Sequence, residues 1–283
     1  MNVTLLFAAL FTISVFAGFV GSLTGLGGGV VLVPIYVLAL GVPVEYAAGA
    51  SLVSTIATSL ATSATYVRDR LTNVRIGMSL EISTTLGALA GSLTAAWIYA
   101  SGLQRVVYLV FGAVLIFSSY MQWAVAKLGE RPRPPPDRWT SFLKLRGRYY
   151  DAARGETVEY YGVRWWLGAL IMFAAGLVSG FLGIGGGALK VLAMDWAMAL
   201  PIKVSTATSN FMIGVTAATG TAVYWVHGYI QPFLAAATAL GVLAGAYVGS
   251  RLLPHLRSRS VRFFFATVVL LLGVQMLLKG VWS

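Results

Sequence analysis

Ten apolar stretches follow one another along the chain, at about residues 3–23, 30–42, 46–67, 77–100 and 104–127, then 164–182, 188–200, 204–226, 233–253 and 261–280. Eight of them exceed 18 residues, enough for a helix rising 1.5 Å per residue to cross a hydrocarbon core of roughly 30 Å. A soluble core does not repeat that length. With 58% hydrophobic and only 10% charged residues and a mean hydropathy of +0.81, most of the surface has to face lipid, since soluble domains carry about 25% charged residues. The chain is therefore expected to be an all-α integral membrane protein. No basic residue precedes the first apolar run, so a cleaved signal is not expected there and the first span should remain in the protein.

The ten stretches form two related sets. Gly18 aligns with Gly176, Gly25 with Gly183, Gly27-Gly28-Gly29 with Gly185-Gly186-Gly187, Pro43 with Pro201, Ser51 with Ser209 and Tyr66 with Tyr224, all at one offset of 158. After a four-residue slip, Gly87 and Gly91 align with Gly241 and Gly245. Register held over some 70 residues marks a duplication. It divides the chain into a first membrane repeat (1–127), a charged segment (128–163) and a second membrane repeat (164–283). The charged segment, with Pro132, Pro134, Pro135 and Pro136 and alternating charges, reads as a solvated linker.

Loop charge orients the two sets. Arg68, Arg70 and Arg75 follow the third stretch, whereas the equivalent connector from His227 to Pro232 has no Lys or Arg. The next connector reverses this, with Arg105 in the first set against Arg251, Arg257, Arg259 and Arg262 in the second. Short basic loops stay cytoplasmic, so equivalent loops face opposite sides and the repeats should have inverted topology. Both termini are then outside and the linker inside. Of the 20 Lys and Arg residues, only Arg105, Lys190 and Lys279 fall outside the cytoplasmic set. The net charge of +11 is thus a topology signal and not a nucleic-acid footprint.

Gly25-Leu26-Gly27-Gly28-Gly29 and Gly183-Ile184-Gly185-Gly186-Gly187 cannot continue a helix, because each interior glycine costs up to about 1 kcal/mol relative to alanine. The stretch after each is too short to span comfortably. Each repeat is therefore expected to open with a re-entrant or short helical hairpin, followed by three transmembrane helices. Irregular backbone at mid-membrane is tolerated only where protein or a watery cavity satisfies it. Free N–H groups at the start of the helix after a glycine turn can bind an anion. The alternative is glycine serving close helix packing alone.

A second constellation lies a few residues beyond a proline in each repeat: Gly49 to Thr55, including Ser51, and Ser205 to Asn210, including Thr208, Ser209 and Asn210. These hydroxyls and the amide could face an oxyanion; alternatively they bond to i−4 carbonyls or bridge helices. Ionisable residues in spans are functional candidates. Lys190 could supply a fixed positive charge, or snorkel to the cytoplasmic interface. Asp195 reads as interfacial. Glu81 could relay protons for coupling, with pairing to Arg75 or Arg68 the favoured alternative. His227 and His255 are too isolated for a metal site.

Cysteine is absent, which removes thiol chemistry and disulfides. No Gly-Lys-Ser or Gly-Lys-Thr follows a glycine cluster, so a P-loop is missing. No enzyme activity, cofactor or metal is expected.

These motifs resemble the sulfite exporter TauE/SafE family. The duplicated Gly-x-Gly-Gly-Gly at 25–29 and 183–187, and Pro201-Ile202-Lys203-Val204-Ser205-Thr206-Ala207-Thr208-Ser209-Asn210, look like its hallmark segments. The likeness covers both membrane halves and leaves out most of 128–160. The proline that often follows the glycine cluster is present as Pro34 but replaced by Leu192. The resemblance implies a secondary transporter of the prokaryotic plasma membrane, exporting sulfite, a sulfonate or another small organic or organosulfur anion. Gly27, Gly28, Gly29, Ser51, Gly185, Gly186, Gly187, Lys190, Thr208, Ser209 and Asn210 are the expected substrate contacts. An anion channel and a non-transporting scaffold or receptor are the alternatives, and the expected partners are a small anion and the bilayer.

Overall fold

The structure, a computed structural model, describes residues 3–25, 27–128, 134–151, 155–252 and 258–282. Leu26, Pro132, His255 and Arg257, all named above, lie outside the described residues. The first repeat comprises α1 (Val3–Thr24), α2 (Gly29–Ala39), α3 (Val44–Arg68), α4 (Val74–Ala100) and α5 (Gln104–Leu128). The second comprises α7 (Trp165–Leu182), α8 (Gly187–Leu192), a π-helical turn (Ala193–Ala197), α9 (Ile202–Val226), α10 (Pro232–Leu252) and α11 (Ser258–Trp282). Between them stand α6 (Arg138–Phe142) and strands β1 (Arg146–Asp151) and β2 (Glu156–Tyr161).

The helix boundaries follow local chemistry. Pro43 and Pro201 cap α3 and α9 with φ of −54° and −57°, the fixed proline value that suits a helix start. Asn73 caps α4, its side chain accepting from the Ile76 N–H at 3.1 Å. Gly183, at φ +71°, ends α7 in the left-handed region, where glycine has no Cβ penalty. Among the described residues, four helices, α1, α5, α7 and α10, contain windows long and apolar enough to cross a membrane. α3, α4 and α9 are at least as long but carry more Ser and Thr.

Small residues point inward and large apolar ones outward. On α4, Gly77, Thr84, Gly87, Ala88, Gly91 and Ser92 are buried, while Met78, Ile82, Leu86, Leu93 and Trp97 are exposed. That is the reverse of a soluble helix, and it suits lipid as the surrounding solvent. A Cβ on Gly87, Gly91, Gly176 or Gly180 would come within 2.0–2.1 Å of a carbonyl oxygen across the α4–α7 contact. Gly241, Gly245 and Gly249 meet the α1 backbone in the same way. The close-packing role of glycine therefore holds for these positions.

The repeats are interwoven. α1 packs chiefly on α10 and α7 on α4, so the first helix of each repeat lies against the second long helix after the hairpin of the other. α3 meets α9, with Thr72 at Ala207, Ser59 at Phe211 and Gly214, and Leu52 at Gly220. The order of these contacts makes the two equivalent helices antiparallel. α5 and α11 are antiparallel too, with Arg105 at Gly280, Gly112 at Gly273 and Ser119 at Ala266.

Two expectations need correction. The chain is not purely α-helical, since β1 and β2 form an antiparallel hairpin pairing Arg148 with Glu159 and Asp151 with Glu156. Nor is the intervening segment a solvated linker throughout. Leu145, Tyr149 and Tyr160 are buried and pack with Ile76, Leu80, Met198 and Val204 of the helices, and Val163 is buried with its N–H donating to the Met198 carbonyl at 3.1 Å. The physical reason is alternation: Gly147, Tyr149 and Asp151 share the inner face with Tyr160, while Arg148 and Tyr150 are exposed. A short strand buries one apolar face without a long apolar run.

Candidate functional site

Both glycine turns are broken helices in the sense expected. Gly25 and Gly27 have φ of +76° and +66°, and Gly183, Gly185 and Gly186 have +71°, +75° and +65°. L side chains pay roughly 1–2 kcal/mol in that region. The turns lie next to each other in the buried interior. A Cβ on Gly29 would come within 3.1 Å of Ile184 Cα, and Cβ atoms on Gly27 and Gly185 would both approach Thr55 Cγ2, at 3.3 and 2.6 Å. Thr55 of α3 is thus wedged where the turns converge. Its Oγ1 donates to the Ser51 carbonyl at 2.8 Å.

Each turn also rests on the post-proline helix of the other repeat. Gly25 abuts Thr206 of α9, and Gly183 abuts Ala48 of α3, two contacts related by the same offset of 158. Ser209, one of the expected contacts, donates to the Gly25 carbonyl at 2.7 Å. Asn210 donates its amide to the Ser22 carbonyl at 2.9 Å, which also accepts from the Tyr66 hydroxyl at 2.9 Å. Thr208 Oγ1 accepts from the Asn73 N–H at 3.0 Å. These three side chains therefore fix the first turn and the start of α4, and the donors of Ser209 and Asn210 are engaged.

Ser51 differs. It is wholly buried, its Oγ has no hydrogen-bond partner, and a Cβ on Gly29 would come within 2.3 Å of that oxygen. A buried unpaired hydroxyl costs about 1–3 kcal/mol, so this donor calls for a ligand or water. The Ser51 Oγ stands at the start of α2, where the first N–H groups have no partner earlier in their own helix. Asn210 Oδ1 is also buried and unpartnered; it is an acceptor.

Lys190 does not snorkel. It is wholly buried, and its Nζ donates to Thr216 Oγ1, 14 residues into α9 and so about 21 Å along it at 1.5 Å per residue. Thr216 donates in turn to Glu81 Oε1 at 2.7 Å, and Thr85 lies at 3.4 Å from the same oxygen. Glu81 thus turns inward, away from the expected pairing, and Arg68 pairs with Asp69 at 3.0 Å. His227 Nδ1 lies 2.8 Å from the Val223 carbonyl, at the end of α9. Asp195 is half-buried on the π-helical turn. Among the described residues no cluster of His, Cys, Asp and Glu could hold a metal.

Asn73 and Thr216 were not expected from the sequence, and Thr55 lay within the Gly49–Thr55 constellation without being singled out. Thr55 lies one turn beyond Ser51, and Thr216 two turns beyond Ser209 on the same face of α9, so helical spacing was the available signal.

Residues 10–276 match the family described as Sulfite exporter TauE/SafE. The chain is 28% identical over 284 residues to the Probable membrane transporter protein YunE of Bacillus subtilis, covering 98% of this chain and 99% of that protein. It is 22% identical to the Probable membrane transporter protein YdhB of the same organism, over 95% of this chain and 98% of that one. No solved structure matches it. These relatives are named as probable membrane transporters and the family is a membrane transporter family, not an enzyme class, which agrees with the apolar helices. The chain is a multi-pass membrane protein belonging to the sulfite exporter TauE/SafE family.

Proposed function

We propose that the protein is a secondary carrier that exports sulfite, a small sulfonate or another small organic anion across a prokaryotic plasma membrane. The anion binds where the two glycine turns converge. The observation that carries this reading is Ser51: a wholly buried hydroxyl without a partner, set against Gly29 at the open start of α2 and beside the second turn. Backbone N–H groups of Gly27 to Gly29 and Gly185 to Gly187 supply further donors. Ser209, Asn210 and Thr208 contribute by holding the turns and become ligands only if their present bonds exchange. Lys190 supplies the positive charge from one side.

The antiparallel run of α3 against α9 and of α5 against α11, together with the reversed loop charges, supports an inverted repeat with both termini outside and residues 128–163 in the cytoplasm. Rocking of the interwoven halves about the shared turns then exposes the site alternately.

Purified protein in liposomes is expected to show saturable counterflow of sulfite or of one member of a panel of sulfonates and small carboxylates, and Ser51→Ala is expected to weaken it. Unitary currents in place of saturation would replace the carrier with a channel, and no flux under any gradient would overturn transport of these anions.

A further inference from the structure

The carrier reading leaves one buried group without a task. Glu81, about two turns into α4, faces Lys190 through a single hydroxyl, and its Oε2 is buried with no hydrogen-bond partner. A polar chain of this sort runs from α8 (Lys190) through α9 (Thr216) to α4 (Glu81), joining the hairpin of one repeat to a helix of the other. The counterpart of Lys190 at the offset of 158 is Leu32, which is apolar and wholly buried. Lys190 is therefore not part of the duplicated scaffold, and its pairing with Glu81 across the two halves has no symmetry-related copy.

The other ionisable groups nearby are few. α7 carries none. α9 carries Lys203, ion-paired with Asp151 at 2.8 Å, and Tyr224, which donates to the Phe181 carbonyl. The π-helical turn brings Asp195, α5 brings Arg105, Tyr108 and Tyr120 among its described side chains, and α4 itself has Arg75 and Tyr99 near its ends. Within the span, Lys190 and Glu81 are each other's compensating charge.

Resting on the carrier reading, we propose that Glu81, Thr216 and Lys190 couple the anion to a proton, so that a monoanion crosses together with one proton. The reason is electroneutrality. An uncompensated charge at this depth costs several kcal/mol. Two states of the group avoid it: Glu81 ionised with Lys190 ammonium and no anion, and Glu81 protonated at Oε2 with Lys190 ammonium and an anion. The proton comes from water on the loading side and returns to water on the other. A proton without an anion leaves a net positive charge, and an anion without a proton leaves a net negative one. Thr216 donates to Glu81 and accepts from Lys190, which keeps the pair in register across α9.

The test uses the full chain in proteoliposomes with sulfite, and with methanesulfonate and isethionate, whose charge does not titrate near neutrality. Labelled anion and a lumenal pH dye are followed together. For an electroneutral monoanion, one pH unit is expected to drive about ten-fold accumulation, and a valinomycin-clamped potassium potential none. Glu81→Gln mimics the protonated acid. Its loaded state stays neutral while its empty state does not, so anion–anion exchange is expected to remain measurable and net flux to be lost. Exchange also reports that this variant is folded. Thr216→Ser is expected to keep coupling and Thr216→Val to weaken it.

Accumulation driven by potential and not by pH overturns the coupling, as does a ten-fold response surviving in Glu81→Gln. If the wild-type chain moves none of these anions in exchange or net flux, the carrier reading falls, and the coupling with it.

Discussion

Single atoms decide what happens at the convergence of the turns. Gly185 combines φ of +75° with a Cβ position 2.6 Å from Thr55 Cγ2, so Gly185→Ala is expected to cost about 1–3 kcal/mol. The offending atom is a methyl that serine lacks. Thr55→Ser in the same chain should therefore recover the steric part and leave the backbone strain, a partial rescue readable as thermal unfolding in detergent. The two serines related by the repeat should behave oppositely. Ser209→Ala removes the donor to the Gly25 carbonyl and is expected to destabilise by about 1–3 kcal/mol. Ser51→Ala removes a hydroxyl that already lacks a partner, so stability should hold or rise while anion affinity falls, as measured by ligand-induced thermal shift.

Among the elements, the short α6–β1–β2 unit is the one whose role is least conveyed by its composition. It is fastened to the membrane helices by Asp151 to Lys203 of α9, both side chains 7% exposed, and by Asn73, whose amide donates to the Tyr160 hydroxyl at 3.1 Å. Breaking a buried pair leaves a charge behind, at about 3–5 kcal/mol. Asp151→Asn is thus expected to loosen the hairpin, and Lys203→Met added to it to restore much of the loss, with protease resistance of the segment as the readout. Asp137 provides a pH test. Burial works against its charged form, but the backbone N–H groups of Thr140 and Arg164 donate to it and hold its carboxyl below the ordinary range. Its stabilising contribution is present above the unfolded value near 4 and is lost as pH falls through the lower folded value. Hydrogen exchange of the hairpin amides, corrected for intrinsic rate, should therefore rise at acid pH in the wild-type chain, and Asp137→Asn should abolish that step.

For the whole molecule, interweaving means that neither repeat buries its glycine faces alone. α1 needs α10 and α7 needs α4, and at Gly91 a Cβ would come within 2.0 Å of the Leu177 carbonyl. A chain split between the halves is accordingly expected to be stable only when both are co-expressed. The topology can be read directly because the chain has no cysteine. Single cysteines near either terminus should react with impermeant maleimide from outside intact cells, and one at Gly155 only after permeabilisation. Labelling of the two termini from opposite sides would exclude an inverted repeat.

The ten apolar stretches were legible because membrane helices must satisfy their own backbone and span a fixed thickness, and the observed helices other than α6, with the π-helical turn, fall on them. The glycine breaks were legible for a similar reason, since an αL position or a close approach needs the residue itself. What lay beyond reach was partnership between distant segments. Nothing local says that Ser209 and Asn210 spend their donors on Gly25 and Ser22, that Glu81 turns from Arg68 to Thr216, or that Lys190 stays at mid-helix depth. Those outcomes depend on which faces the interwoven helices bring together across 26 to 188 residues of sequence. The hairpin at 146–161 escaped because its stability rests on one buried face and on partners in α4 and α9, and only tertiary packing supplies them.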